Sequence, residues 1–151
     1  MITAIYIDGN SDCKDAFYVR EEVFVKGQNI DKNLVFDDLD EHAIHVVVYE
    51  DSKPVGCGRL INSSDEYLIG RIGVLEHKRG NYYGDLIVRM LIQKAFDIGA
   101  QEISVHSQLP AVKFYNKIGF KEYGDIYKEA SMDHINMKLI KENLRKNCNK
   151  K

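Results

Sequence analysis

The stretch Gly73-Val74-Leu75-Glu76-His77-Lys78-Arg79-Gly80-Asn81-Tyr82-Tyr83-Gly84-Asp85-Leu86 passes from a hydrophobic strand through a basic, glycine-containing turn into an apolar helix. A turn of that kind aims several backbone N–H groups and the positive end of a helix dipole at one point, and phosphate is the natural occupant. No Lys-Ser/Thr follows Gly84, and Gly56-x-Gly58 has neither a third glycine nor a helix after it, so neither a Walker loop nor a dinucleotide fingerprint is present. A second stretch, Ala111-Val112-Lys113-Phe114-Tyr115-Asn116-Lys117-Ile118-Gly119-Phe120, reads as a short helix with adjacent aromatics and a glycine stop. Phe114 and Ile118, four apart, suit a core. Tyr115 falls nearer the face of Ala111 and Ile118, where a half-buried phenol needs a hydrogen-bond partner.

The elements that must position these groups follow from periodicity. Residues 2–7 read as a strand, and Ser11 suits the N-cap of a helix whose apolar face holds Ala16, Val19 and Val23 and which ends near Gly27. Residues 28–42 suggest a short second helix and a loop carrying the acidic run from Asp37 to Glu41. Three meander strands follow at 43–50, 54–61 and 66–75, the second with little side chain at Gly56 and Gly58. The period then changes to about 3.6 residues, with Leu86, Ile87, Met90, Leu91, Ala95 and Ile98 as an apolar stripe that stops at Gly99. A strand at 102–107, a helix at 110–118 and strands near 120–123 and 134–140 complete the chain. The fold class is α/β in the α+β sense, a mixed sheet with helices on its faces.

Composition bounds the rest. A chain of 151 residues with 44% hydrophobic and 29% charged residues makes one globular domain with a core of its own. No apolar run reaches the ~18 residues of a membrane span, and the first residues lack the basic region and cleavage site of a signal peptide, so a soluble cytoplasmic protein is expected. Residues 141–151 hold five Lys/Arg and one Glu, a net +4, which leaves −6 on the remainder of a chain whose net charge is −2. This argues against nucleic acid as a partner, and the basic end reads as a solvated tail. Cys13, Cys57 and Cys148 have no metal or disulfide spacing and read as free thiols. His42 and His45 stand beside four acids, but strand alternation sends them to opposite faces, so no metal is expected.

Taken together, in this order and separated by one helix and one strand, the two opening stretches resemble the GNAT superfamily of acyl-CoA-dependent N-acetyltransferases. Members carry an Arg/Gln-x-x-Gly-x-Gly/Ala turn and a later Phe-Tyr-x-x-x-Gly-Phe helix. Here these read Arg79-Gly80-Asn81-Tyr82-Tyr83-Gly84 and Phe114-Tyr115-Asn116-Lys117-Ile118-Gly119-Phe120, with Tyr82 where the family usually has a glycine. Residues 19–25, 37–45 and 133–137 are also similar to small bacterial members, so the resemblance spans nearly the whole chain.

The resemblance implies a single domain at 1–140, followed by the tail at 141–151. It implies a central, mostly antiparallel sheet with splayed fourth and fifth strands and helices on both faces. It implies acetyl-CoA as co-substrate, its pyrophosphate held by Arg79, Gly80, Asn81, Tyr82, Tyr83 and Gly84 and its pantetheine amides near Gln108. A bulge near Gly73 and Val74 would free the Val74 N–H to polarise the thioester carbonyl, and Tyr115 would serve the departing thiolate. The implied activity is transfer of acetyl to an amine by direct attack in a ternary complex. The alternative is a non-catalytic acyl-CoA-binding regulatory domain, suggested by Tyr82 in the turn. The acceptor is a small-molecule or protein amine, with no nucleic acid and no membrane as partner, and a homodimer is compatible with the family.

The acceptor side needs a base, because deprotonating a lysine-like amine at pH 7 costs on the order of 4–5 kcal/mol. Candidates are Asp37, Asp38, Asp40, Glu41, Glu76, His45, His106 and His134. Of these, His106 beside the cofactor strand and His134 before the last strand are the expected substrate contacts. The acidic run, if it lies at the cleft mouth, favours a cationic amine.

Overall fold

Runs rich in Val and Ile, bounded by turn residues, form seven strands in the computed structural model, which describes residues 1–145. They are β1 (Ile2–Asp8), β2 (Ile44–Glu50), β3 (Lys53–Ser63), β4 (Glu66–Val74), β5 (Glu102–Gln108), β6 (Lys121–Glu129) and β7 (Met132–Ile140). All seven belong to one sheet in the order β1-β2-β3-β4-β5-β7-β6. Every neighbouring pair is antiparallel except β4 and β5, which run parallel and register only at Leu68↔Ser104 and Ile69↔Val105. The hairpins β2–β3, β3–β4 and β6–β7 turn on Asp51-Ser52, Ser64-Asp65 and Ala130-Ser131, all at positive φ. Such two-residue turns match the right-handed twist of the strands they join. β6 runs well beyond the expected 120–123, because its register against β7 shifts between Tyr123 and Tyr127, with Gly124 at φ +76°. Simple alternation cannot continue across such an irregularity.

Helix α1 (Lys14–Arg20) continues without a break into a π-helical turn at Glu21–Lys26, and buries Ala16, Val19, Arg20 and Val23. The cap expected at Ser11 does not form. The Asp12 carboxylate accepts the Lys14 N–H at 3.0 Å instead, one residue later than the sequence suggests. Helix α2 (Lys32–Val35) is short and capped by Asp31, which accepts from Asn33 N–H at 2.8 Å. Helix α3 (Tyr83–Asp97) buries Tyr83, Ile87, Val88, Leu91, Ile92 and Ala95, a stripe rotated from the expected one so that Ile98 is exposed. It ends on Gly99 at φ +116°, where the Ala100 N–H donates to Ala95 O at 2.9 Å, the closure that a left-handed glycine allows. Helix α4 (Val112–Ile118) ends in the same manner on Gly119.

The helices occupy both faces of the sheet. A side chain at Gly73 would point at Val23 behind α1, whereas the next residue, Val74, turns its Cγ2 toward Gly84 of α3. Gly58 lets α3 lie close, because a Cβ there would come within 2.9 Å of Ile87, Ile72 and Leu91. Val46, Val47, Val48, Leu60, Ile69, Ile87, Leu91, Ile103, Met137 and Leu139 are buried between the layers. The start of the basic C-terminal segment is docked rather than solvated: Leu144 packs against this core and the Arg145 N–H donates to Ile118 O at 2.8 Å. The remainder, with Cys148, lies outside the described residues. No described helix is long and apolar enough to cross a membrane.

Candidate active site

Because β4 and β5 pair over only two residues, they part beyond Ile69 and Val105 and open a cavity of about 890 Å³ through the sheet. Its walls come from the α3 and α4 face on one side and from the α1 and α2 face on the other. Leu75 N–H donates to Val55 O at 2.9 Å. Antiparallel alternation then directs the N–H and C=O of Val74, opposite Gly56, away from β3 and toward the gap. The Val74 carbonyl accepts from Arg79 Nε at 3.0 Å, which folds the arginine back over the strand end. The bulge expected at Gly73 and Val74 lies two residues earlier. Arg71 and Ile72 together oppose Gly58, and Arg71 takes φ +55°.

The turn ahead of α3 keeps its shape despite Tyr82. That residue adopts φ +66° and ψ +17°, the left-handed region a glycine would supply, and Gly80 sits at φ +87°. A tyrosine held there costs roughly 1–2 kcal/mol, so strain replaces distortion. Gly73, Val74, Arg79, Gly80, Tyr82, Tyr83 and Gly84 all line the cavity. Asn81 does not; its amide donates to Lys78 O at 3.0 Å and closes the turn from outside. The acid in the first helical turn, Asp85, is neutralised by Arg89 at 2.9 Å, which leaves the helix N-terminus open to an anion.

Tyr115, 7% exposed, packs edge-on against Phe114 and Phe120 and lines the same cavity. Burial pushes its phenol pKa up, so the hydroxyl remains a donor, and it has no hydrogen-bond partner among the described residues. Gln108, at the end of β5, also lines the cavity and donates to Gln28 Oε1 at 3.0 Å, tying β5 to the segment after α1. Both described cysteines are buried, and burial pushes the Cys57 thiol up to about 12, so it offers no thiolate for covalent catalysis.

On the opposite side, His106 and His134 both reach the cavity. His134 Nδ1 lies 2.9 Å from Met132 O. A carbonyl only accepts, so Nδ1 carries the proton and a neutral ring keeps its lone pair on Nε2. The ring stacks on Tyr127 at 5.9 Å, whose hydroxyl donates to Asn136 Oδ1 at 2.5 Å. His106 meets Tyr127 edge-on and stands 4.0 Å from Glu129.

The acidic run does not line the cavity. Asp40 pairs with Arg20 at 2.7 Å and with Arg59 at 2.9 Å, and Asp37 pairs with Arg59 at 2.7 Å and Arg71 at 3.2 Å. Burial opposes ionisation of Asp40, but the hydrogen bonds and charges of the two arginines outweigh it and hold the carboxyl at about 2. His45 is fully buried, donates from Nε2 to Asp40 O at 2.9 Å and accepts from Arg20 at 3.3 Å. Burial pushes its pKa down and keeps it neutral. These residues are therefore structural rather than basic catalysts. Arg20, Arg59 and Arg71 are not among the expected site residues, although each leaves a trace in the sequence. Arg20 stands four residues after Ala16 on the apolar face of α1, Arg59 interrupts an otherwise apolar run in β3, and Arg71 falls between Ile69 and Ile72.

The same overall fold is found in solved structures to which this chain is similar. The solved structure of Escherichia coli ElaA superposes with a TM-score of 0.82 at 21% identity, covering 91% of this chain and 99% of that one. A Bacillus anthracis str. Ames protein in complex with acetyl coenzyme A shares the fold over 65% of this chain and 62% of its own, at a TM-score of 0.57 and 20% identity. In sequence, the uncharacterised N-acetyltransferase YjcF of Bacillus subtilis (strain 168) is 37% identical over 135 residues, which cover 89% of this chain and 96% of the relative. The model of the acetyltransferase (GNAT) domain matches residues 14–141, and with that match the chain belongs to the GNAT family of acetyltransferases.

Proposed function

We propose that the protein transfers the acetyl group of acetyl-CoA to an amine by direct attack within a ternary complex. One observation carries this reading. The Val74 amide turned into the gap, the open N-terminus of α3 and the unpartnered Tyr115 hydroxyl all border one cavity that passes through the sheet. A long cofactor fits such a passage from the α3 side, and an acceptor reaches the same point from the other.

In this reading the backbone of Gly80 to Gly84 and the dipole of α3 hold the pyrophosphate, with Arg79 and Asn81 shaping the turn and Gln108 released from Gln28 to meet the pantetheine amides. The Val74 N–H stabilises charge on the thioester oxygen as the amine attacks. His134 Nε2 takes the proton that the amine loses, its tautomer fixed by Met132. A C–N bond forms and the C–S bond breaks. Tyr115 donates a hydrogen bond to the departing sulfur; burial makes it a weak acid, so it stabilises the thiolate more than it protonates it. His106 and Glu129 border the acceptor amine. The feature that suggested binding without turnover, Tyr82, leaves the turn intact.

The test is incubation of a cell extract with the protein and isotopically labelled acetyl-CoA, with mass spectrometry of the products and calorimetry of acetyl-CoA binding. Labelled amides that depend on the protein are expected. Tight acetyl-CoA binding with no such product would instead establish the binding-only reading.

A further inference from the structure

Three guanidinium groups and two carboxylates meet on the acceptor side of the sheet: Arg20, Arg59 and Arg71 against Asp37 and Asp40, with His45 neutral between them. The cluster therefore carries one positive charge in excess. Both carboxylates are shared, Asp40 by Arg20 and Arg59, Asp37 by Arg59 and Arg71. Arg20 and Arg59 are almost fully buried; Arg59 and Arg71 both border the cavity, and Arg71 is the more exposed of the two. Arg71 Nε donates to Val35 O at 2.9 Å, and Nη2 to Leu34 O at 3.1 Å and Asp37 at 3.2 Å. Its Nη1 has no partner among the described residues. The guanidinium is thus clamped along one edge and open along another, at a cavity wall.

Two further observations point the same way. Arg71 sits at φ +55° in the β4 bulge, a conformation that costs a residue with a side chain about 1–2 kcal/mol and takes it out of strand alternation. Burial, with Arg59 close behind, pulls the Arg71 pKa down to about 10, so the site as built disfavours its own charge. An anion arriving from the cavity would relieve that.

We propose that the acceptor is an amine that also carries a carboxylate, bound by the open edge of Arg71 while its amine faces His134. This rests on the acetyltransferase reading above and narrows its substrate class. A carboxylate balances the surplus charge, whereas a phosphate dianion overshoots it among the apolar walls of Ile30, Leu34, Val35 and Leu68. The expected cationic amine is thereby replaced by a zwitterionic one.

The experiment uses matched pairs that differ by the carboxylate, lysine against cadaverine and phenylalanine against phenethylamine, with β-alanine against phosphoethanolamine to separate the two anions. Each is assayed for turnover with acetyl-CoA and for calorimetric binding to the CoA-loaded protein. Charge-assisted hydrogen bonds of this kind lead us to expect the acid of at least one pair to be preferred about 10- to 100-fold. Arg71→Asn, which tolerates the left-handed backbone, should abolish that preference while acetyl-CoA affinity stays within twofold. Should Arg71→Asn not fold, Arg71→Lys, which keeps the charge without the fork, should reduce the preference several-fold. No carboxylate preference in any pair, by turnover or by binding, overturns the proposal, as does a preference for phosphoethanolamine or one that survives both substitutions. Failure of acetyl-CoA itself to bind would be registered separately, as failure of the acetyltransferase reading.

Discussion

The two halves of the cavity are made of different materials. The half facing α3 and α4 is built from backbone, namely the Val74 amide, the turn at Gly80 to Gly84 and the first turn of a helix, with one phenol added. All of it comes from two contiguous stretches of chain. The half facing α1 and α2 presents Arg59 and Arg71, which are held from behind by Asp37, Asp40 and Arg20 in one network of side chains. A backbone site serves a chemically constant ligand and tolerates a change of side chain, as Tyr82 shows. A side-chain site serves a variable ligand and depends on every member of its network.

That contrast can be broken most forcefully at Asp40. Asp40→Asn leaves Arg20 without its carboxylate in a buried setting and should cost about 3–5 kcal/mol in urea unfolding. The same group sets the acid limb. Its folded pKa of about 2 lies below the ordinary value of about 3.9, so its stabilisation is complete above about pH 4 and is lost as pH falls through about 2, a span of roughly 2 kcal/mol. His45, with its pKa lowered, should begin to erode stability earlier, as pH drops below about 6.5. An Asp40→Asn stability profile that keeps the parental acid limb would show that the network does not hold this wall.

Next in size is His134→Gln, for which a base removed from the reaction predicts a kcat lower by about 10²-fold, with acetyl-CoA affinity unchanged. Gly84→Glu should act only on the opposite half. A Cβ at that site finds ordinary contact with Phe114 at 3.6 Å, so melting should shift little. The added charge, however, should weaken acetyl-CoA binding about tenfold or more by calorimetry. An affinity within a factor of two of the parent would remove the turn from the cofactor site. Tyr115→Phe keeps the ring between Phe114 and Phe120 and deletes the hydroxyl, so kcat should fall about tenfold while melting and cofactor affinity hold. Parental kcat in that variant would reduce Tyr115 to packing.

Legibility in the sequence followed the same division. The turn, α4 and the order of elements were readable because each depends on neighbours a few residues away: a glycine at a helix end, a change of period, a strand run. The buried stripe of α3 is rotated from the expected one because Leu86 and Met90 are as apolar as Val88 and Ile92, so the pattern of residue types does not choose between them. Glycine is the usual marker of a bulge, and Gly73 points to the wrong place because Arg71 occupies the left-handed position. The pairing of Asp37 and Asp40 with arginines is not legible because those partners lie at sequence separations of 19 to 34 residues. Pairings at that range leave no local pattern.

The parting of β4 and β5 has a mechanical side as well. Leu68↔Ser104 and Ile69↔Val105 are the whole of the ladder that joins the β1-to-β4 meander to the β5-β7-β6 group. The line along which the cavity opens is thus also the least stitched line across the sheet, and amide hydrogens flanking it should exchange faster than those inside either antiparallel group. A ligand lying along that line would act as a missing strand, protecting amides on both banks at once and raising the melting temperature with its concentration.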